Sequence, residues 1–255
     1  MIKKTVVQFA IFLGLLGMAM GTQAKDWPAP IKALEAKGVE VIGTFDAPGG
    51  LTGYAGMVEQ QPLAIYLTAD GKQAIVGSMI DAKGVDLSQE PLNRLVTKPM
   101  TAKIWKQLEG STWIADGAKN APRIIYTFTD PNCPYCNKFW NDARPWVTAG
   151  KVQLRHVMVG ILGPTSPGKA AALLSAKDPQ AALMQHEQQH RSGGVKPLDQ
   201  ISPTVRGQLD ANQALMQQLG FSATPTTLYK DADGNLKTLQ GAPSADMLNK
   251  ILGPR

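Results

Sequence analysis

Near its middle the chain reads Asp130-Pro131-Asn132-Cys133-Pro134-Tyr135-Cys136, and this stretch holds the only two cysteines among its 255 residues. Upstream, Arg123-Ile124-Ile125-Tyr126-Thr127-Phe128-Thr129 has the β-branched and aromatic content of a buried strand. Downstream, Phe139, Trp140 and Ala143 fall at helical spacing within residues 137–144. The Cys-x-x-Cys pair is therefore expected at a strand-to-helix junction. A helix N-terminus offers backbone N–H groups without intrahelical partners and a partial positive charge, and both favour thiolate over thiol. That makes Cys133, expected to be the more exposed of the two, the candidate nucleophile. Cys136, one turn further in, is placed to attack a mixed disulfide on Cys133 and is the candidate resolving thiol. Pro134 suits the first helical turn, where its missing N–H would have had no partner.

Two structural readings compete with redox chemistry. Half of a zinc site would need two more soft or imidazole ligands; a four-cysteine site is excluded, and the distance in sequence to His186 is far longer than zinc-finger spacing. A purely structural disulfide across so short a loop would constrain the unfolded chain little. A third candidate is His186-Glu187-Gln188-Gln189-His190, which matches His-Glu-x-x-His, a zinc-hydrolase pattern. Lys196 stands where the longer form of that pattern has its third histidine, and Gln185, Gln188, Gln189 and Arg191 suggest a solvated helix. His156 reads as a packed or surface histidine. No metal and no cofactor is expected.

The chain opens with Lys3 and Lys4, runs apolar through residues 6–20 and reaches Thr22-Gln23-Ala24 before Lys25 and Asp26. This is the pattern of a secretory signal peptide over residues 1–24, cleaved after Ala24. As a membrane anchor the run falls short of the about 20 residues that span a bilayer. The rest carries no second such stretch, so no membrane association is expected of the mature form. Losing Lys3 and Lys4 takes the formal charge from +6 to +4, and the remaining basic residues are scattered, which argues against nucleic acid. Two cysteines at redox spacing in an exported chain fit the periplasm.

Residues 25–86 read as a short helix followed by four strands at residues 39–45, 51–58, 63–68 and 73–80, a small antiparallel sheet. About 60 residues is marginal for an independent core, so a partner subunit is expected. Pro91 and Pro99 punctuate residues 87–110, a linker whose second half has Ile104 and Leu108 on one helical face. Residues 111–255 begin with the strand and helix of the Cys-x-x-Cys junction. A second strand follows at 152–161, then a helix-rich region at 167–220, a strand after Pro225, a turn at 231–235, a strand at 236–240 and a capped helix at 244–252. The order β, α, β, helices, β, β, α is that of a thioredoxin fold with a helical insertion. Overall the class is α+β and α/β.

Several motifs together carry a resemblance: Pro28-Ala29-Pro30-Ile31-Lys32-Ala33-Leu34-Glu35, Thr44-Phe45-Asp46-Ala47-Pro48-Gly49-Gly50, Tyr66-Leu67-Thr68-Ala69-Asp70-Gly71-Lys72, the Cys133–Cys136 stretch, Ala143-Arg144-Pro145-Trp146-Val147 and Ala223-Thr224-Pro225-Thr226. On them the chain resembles the periplasmic disulfide isomerases of the DsbC/DsbG family. DsbC carries a second cysteine pair and this chain has none, which favours the DsbG branch. The resemblance implies a V-shaped homodimer joined by cystatin-like N-terminal domains, with two thioredoxin-like domains facing a shared cleft. It also implies that Cys133 attacks and Cys136 resolves. Thr224 would precede a cis proline, Pro225, beside the cysteines, with backbone free to pair with an extended substrate.

The function expected is thiol-disulfide exchange on exported proteins, as isomerase or reductase, with rescue of sulfenylated cysteines and chaperone activity implied by the resemblance. The membrane reductant DsbD is the partner implied for keeping Cys133 reduced. A chaperone-like binding protein and a zinc hydrolase are the alternatives from other classes.

Overall fold

The structure, a computed structural model, describes residues 26–255; the expected signal peptide lies outside the described residues. In the N-terminal part, helix α1 (Ala29–Glu35) precedes strands β1 (Glu40–Asp46), β2 (Thr52–Val58), β3 (Gln61–Leu67) and β4 (Ala74–Val76), which form an antiparallel meander in the order β1-β2-β3-β4. Both faces of this sheet are covered. Ile31 of α1 packs with Tyr54, Ile65 and Leu67 on one face, while Phe45, Ala55, Ala64 and Tyr66 pack on the other against Val96, Leu92 and Leu95. Two covered faces explain the nearly continuous burial along β2 and β3 in place of strict alternation. Gly53 has a specific task there: a Cβ at this position would lie 2.3 Å from the Phe45 ring, which needs that space to meet Tyr66 edge-on at 5.8 Å.

The two prolines of the linker do not interrupt it as expected. Helix α2 (Gln89–Leu92), a π-helical turn (Asn93–Thr97) and helix α3 (Lys98–Glu109) run on continuously. Pro91 sits in the first turn, where its N–H has no helical acceptor to lose. Pro99 follows the wider π turn, where Lys98 N–H reaches back to the Asn93 carbonyl and the register has shifted.

In the C-terminal part the strands are β5 (Trp113–Asp116), β6 (Arg123–Thr129), β7 (Val152–Met158), β8 (Thr226–Lys230) and β9 (Leu236–Gln240), in the order β5-β7-β6-β8-β9. Only β6 and β7 pair in parallel, joined by helix α4 (Pro134–Thr148). Strand β5 was not expected. Its four residues pair antiparallel with β7, from Trp113 opposite Val157 to Asp116 opposite Leu154, and so short a run ending in a charge gives little strand signal. Helices α5 (Ser166–Leu174), α6 (Pro179–Gln188) and α7 (Pro203–Gln218) form the insertion, and α8 (Ala245–Leu252) closes the chain. Ser244 occupies the cap position of α8 without a side-chain capping bond, unlike the expected cap.

Core packing sandwiches the sheet. On one face Ile125, Val152, Leu154 and Tyr229 meet Phe139, Ala143 and Trp146 of α4 and Leu248, Ile251 and Leu252 of α8. On the other face Tyr126, Phe128, Val157 and Leu228 meet Ile104 and Leu108 of α3 and Met216 of α7, so the linker helix is anchored on the C-terminal sheet. Helix α4 continues past Arg144 through Pro145 to Thr148, because Trp146 and Val147 beyond the proline still fill core positions and the Trp146 indole donates to Gly253 O at 2.8 Å.

Candidate active site

The carboxyl end of β6 delivers the chain to a tight turn, in which Cys133 N–H donates to Asp130 O at 3.0 Å, and then to α4. Cys133 is the N-cap of that helix, with extended backbone. In place of the hydroxyl or carboxylate usual at an N-cap, its sulfur accepts the Cys136 N–H at 3.2 Å. The Cys133 thiol also donates to Thr224 O at 3.3 Å, which brings the loop before β8 against the cysteines. The Thr224–Pro225 peptide is cis. Cys133, Cys136, Thr224 and Pro225, named separately in the sequence, thus lie in one cluster.

Both thiols are free and both residues are buried, Cys133 at 2% and Cys136 at 3% exposure. The expectation that exposure separates them is therefore wrong; electrostatics separates them. A hydrogen bond from the Cys136 thiol lowers the pKa of Cys133 most, burial opposes it, and the Thr224 side chain with the Cys136 and Tyr135 N–H groups lowers it further, to about 6. Burial pushes the Cys136 thiol well above its ordinary value, and its hydrogen bond to Cys133 and the charge there push it the same way. One sulfur is thus prepared as a thiolate beside another held as a thiol.

The turn preceding Cys133 is fixed by side chains that sequence reasoning missed. The buried Asp130 carboxylate accepts from Asn132 N–H at 2.8 Å, Ser166 Oγ at 2.8 Å, Ile161 N–H at 2.7 Å and Leu162 N–H at 3.0 Å. Asn132 Nδ2 donates to Thr165 Oγ1 and Ser166 Oγ, and Lys169 Nζ bridges Asn132 Oδ1 and Gly193 O at 2.8 Å each. The polar run Asp130-Pro131-Asn132 ahead of a helix was the signal for this turn; nothing in the sequence pointed to Ser166 or Lys169.

The helix carrying His186 is solvated on one face only: Gln185, Gln188, Gln189 and Arg191 are exposed as expected, but His186 and Glu187 are 2% and 3% exposed, because α6 turns this face to the cysteine loop. His186 Nε2 donates to Pro131 O at 2.9 Å, and Nδ1 accepts Val195 N–H at 3.0 Å. Each ring nitrogen is committed, so the imidazole has no lone pair to give a metal, and the zinc reading of the His-Glu-x-x-His pattern fails on geometry. His156 is packed: Thr129 Oγ1 meets its Nδ1 at 3.0 Å, and Asp116 lies 3.6 Å from its Nε2. A groove of about 680 Å³ opens beside Pro134 between α4 and α6, lined by Asn137, Trp140, Asp142, Glu187 and Arg191 among others. Among the described residues no helix is long and apolar enough to cross a membrane.

Residues 114–254 match the thioredoxin-like domain family. Over 252 residues, 99% of this chain and 98% of the relative, the sequence is 50% identical to the thiol:disulfide interchange protein DsbG of Pseudomonas aeruginosa. It is 43% identical to DsbG of Escherichia coli over 90% of this chain and 93% of that protein. Identity to the thiol:disulfide interchange protein DsbC of Dickeya dadantii is 26%, over 90% of this chain and 88% of that protein.

Proposed function

Because the chain belongs to the DsbG family of thiol:disulfide interchange proteins, it is a thiol-disulfide oxidoreductase with a thioredoxin-like domain, and we propose that Cys133 is its attacking thiol and Cys136 its resolving thiol. The observation that carries this assignment is the place of Cys133 at the N-cap of α4, where its sulfur accepts the Cys136 N–H, while Cys136 lies buried inside the helix; this arrangement lowers the first thiol to about 6 and raises the second. In the first step the Cys133 thiolate attacks a substrate disulfide. A Cys133–substrate bond forms, the substrate S–S bond breaks, and the departing sulfur leaves as a thiolate that takes a proton. The mixed disulfide then has two exits. Another substrate thiolate can attack it, which rearranges substrate disulfides with no net redox change. Alternatively Cys136 gives up its proton and attacks Cys133 Sγ, leaving a reduced substrate and a Cys133–Cys136 disulfide. Once Cys133 is bonded to substrate it no longer carries the negative charge that holds the Cys136 proton, so formation of the mixed disulfide itself readies the second thiol.

Thr224 and Pro225 are the proposed substrate-pairing residues. Thr224 O lies at the Cys133 sulfur, so an extended substrate lying along this loop would have its cysteine beside the nucleophile. The proposed substrates are exported proteins with non-native disulfides or sulfenylated cysteines. With a sulfenic acid, the Cys133 thiolate displaces the oxygen as water after protonation, and Cys136 resolves the same mixed disulfide. The proposed location is the periplasm. After reduction of a substrate the protein is left oxidised, and a membrane reductant of the DsbD kind is the proposed electron source. We also propose a homodimer formed by the N-terminal unit, residues 25–86.

Trapping tests the thiol assignment. After exposure to scrambled disulfide-containing proteins, Cys136→Ala should accumulate mixed disulfides on non-reducing gels, because attack proceeds and escape does not; Cys133→Ala should form almost none. Equal trapping by both variants, or trapping mainly through Cys136, reverses the assignment.

A further inference from the structure

We propose that His186 and Glu187 of α6 are positioning residues for the cysteine pair, gripping the chain on either side of it: His186 at Pro131, two residues before Cys133, and Glu187 at Asn137, the residue after Cys136. The proposal rests on Cys133 being the attacking thiol. It gives a role to the part of the His-Glu-x-x-His pattern that zinc chemistry leaves unexplained.

The turn at 130–133 is closed by Cys133 N–H donating to Asp130 O. Its middle peptide joins Pro131 to Asn132, and in a turn that peptide is the one that can flip while the ends stay in place, changing turn type and the direction of the residue that follows. Here it is held at both ends. The Asn132 N–H donates to Asp130 Oδ1 at 2.8 Å, and the Pro131 carbonyl accepts from His186 Nε2 at 2.9 Å. The His186 ring is itself fixed by Val195 N–H at its other nitrogen. Gly194 closes over it with φ of 62°, and a Cβ there would lie 2.2 Å from His186 Nδ1, so the backbone is shaped around the imidazole. With Nε2 donating and Nδ1 accepting, the ring is the neutral tautomer, consistent with the lowering of its pKa by burial against the opposing pull of Glu187; His190 and Lys169 are the other titratable groups facing it.

On the far side, Asn137 Nδ2 donates to the Glu187 backbone carbonyl at 2.7 Å and to its carboxylate at 2.8 Å. Asn137 N–H donates to Cys133 O at 3.2 Å and so belongs to the first turn of α4. Two adjacent residues of the insertion thus fix the peptide that aims Cys133 and the turn whose N–H groups stabilise its thiolate. Freeing either grip loosens the alignment of Cys133 Sγ with the Cys136 and Tyr135 N–H groups.

The test reads the thiolate directly, through the pH dependence of Cys133 alkylation in the full reduced protein, with the modified cysteine located by tandem mass spectrometry and thermal unfolding followed alongside. In His186→Phe, which keeps a ring but neither hydrogen bond, the profile should move to higher pH and the rate at pH 5 should fall at least about threefold, since below the pKa the rate follows the thiolate fraction. His186→Gln can donate to Pro131 O and accept from Val195, and should recover most of the loss even if its melting temperature stays as low as that of the Phe variant. Asn137→Ala, which removes the bonds to both the carbonyl and the carboxylate of Glu187, should shift the profile in the same direction. A merely structural role would lower the melting temperature without moving the profile. A Phe profile superimposed on that of the unsubstituted protein, or a Gln variant indistinguishable from Phe, overturns the proposal. Should His186→Phe not fold, Asn137→Ala decides, since it removes both bonds to Glu187, and an unshifted profile there overturns it. If the unsubstituted protein itself shows an ordinary Cys133 profile, the assignment of the attacking thiol falls first and this inference with it.

Discussion

A thiol with a pKa of about 6 is roughly nine-tenths ionised at pH 7, where a free cysteine near 8.5 is ionised to only a few per cent, so Cys133 should present roughly thirtyfold more thiolate than an ordinary cysteine. Its alkylation rate should be half-maximal near pH 6 and level by pH 7 to 8, while a free thiol is still climbing; a midpoint near 8.5 would mean that the N-cap geometry does not set reactivity. At this scale the sequence was informative because Cys-x-x-Cys between a strand and a helix dictates which sulfur meets the helix N-terminus. It misled on exposure, since the loop before β8 closes over Cys133 from about ninety residues away. His186, Ser166 and Lys169 were illegible as site residues for the same reason: they reach the turn at Asp130–Cys133 through the packing of α5 and α6, and no local pattern records that contact.

Among the elements, the unforeseen strand β5 is held by charge as much as by pairing. Asp116 at its end is buried against β7 and α4, where Arg144 Nη1 donates to it at 3.0 Å and His156 stands 3.6 Å away. Burial works to raise its carboxyl, but the His156 and Arg144 interactions outweigh burial and hold it at about 2, against an ordinary 3.8. A depressed carboxyl stabilises the fold above its unfolded pKa, and that contribution is lost as pH falls through the folded value. Asp116→Asn should therefore cost on the order of 2 kcal/mol in urea unfolding from pH 5 to 7, with the two curves converging as pH falls from about 4 to 2. A pH-independent difference would show that Asp116 acts by shape alone. The regular elements were legible where turn residues bounded an apolar run, as with β1 to β3 of the meander and the β8–β9 hairpin, whereas the strand expected at residues 73–80 shortens to Ala74–Val76. They were not legible where tertiary packing overrode a local signal, as with the prolines carried through helix by the π turn and by the core side chains after Pro145.

For the molecule as a whole, the N-terminal sheet ends on β4, a three-residue edge strand whose Ile75 and Val76 are 56% and 47% exposed. The chain beyond it continues apolar and exposed at Ile80 and Val85, with Ile80 and Asp86 paired in an isolated bridge. An unpaired edge carrying apolar side chains is a template for another strand. Among the described residues no strand pairs with the outer edge of β4, and α1 and the α2–π segment pack on the two faces of the sheet. A second copy can cover that edge, since edge-to-edge pairing across a two-fold axis presents the same residues from both sides. The proposed dimer therefore puts Ile75 at its centre. Introducing a charge there would bury it without a partner, so Ile75→Asp should weaken association by roughly a hundredfold or more. Light scattering should report a monomer for that variant and a dimer for the unsubstituted chain, while the Cys133 alkylation profile stays in place because the cysteines lie on the other sheet. A variant that remains dimeric moves the interface off this edge, and a change in the thiol profile would couple the two sheets in a way that separate cores do not provide.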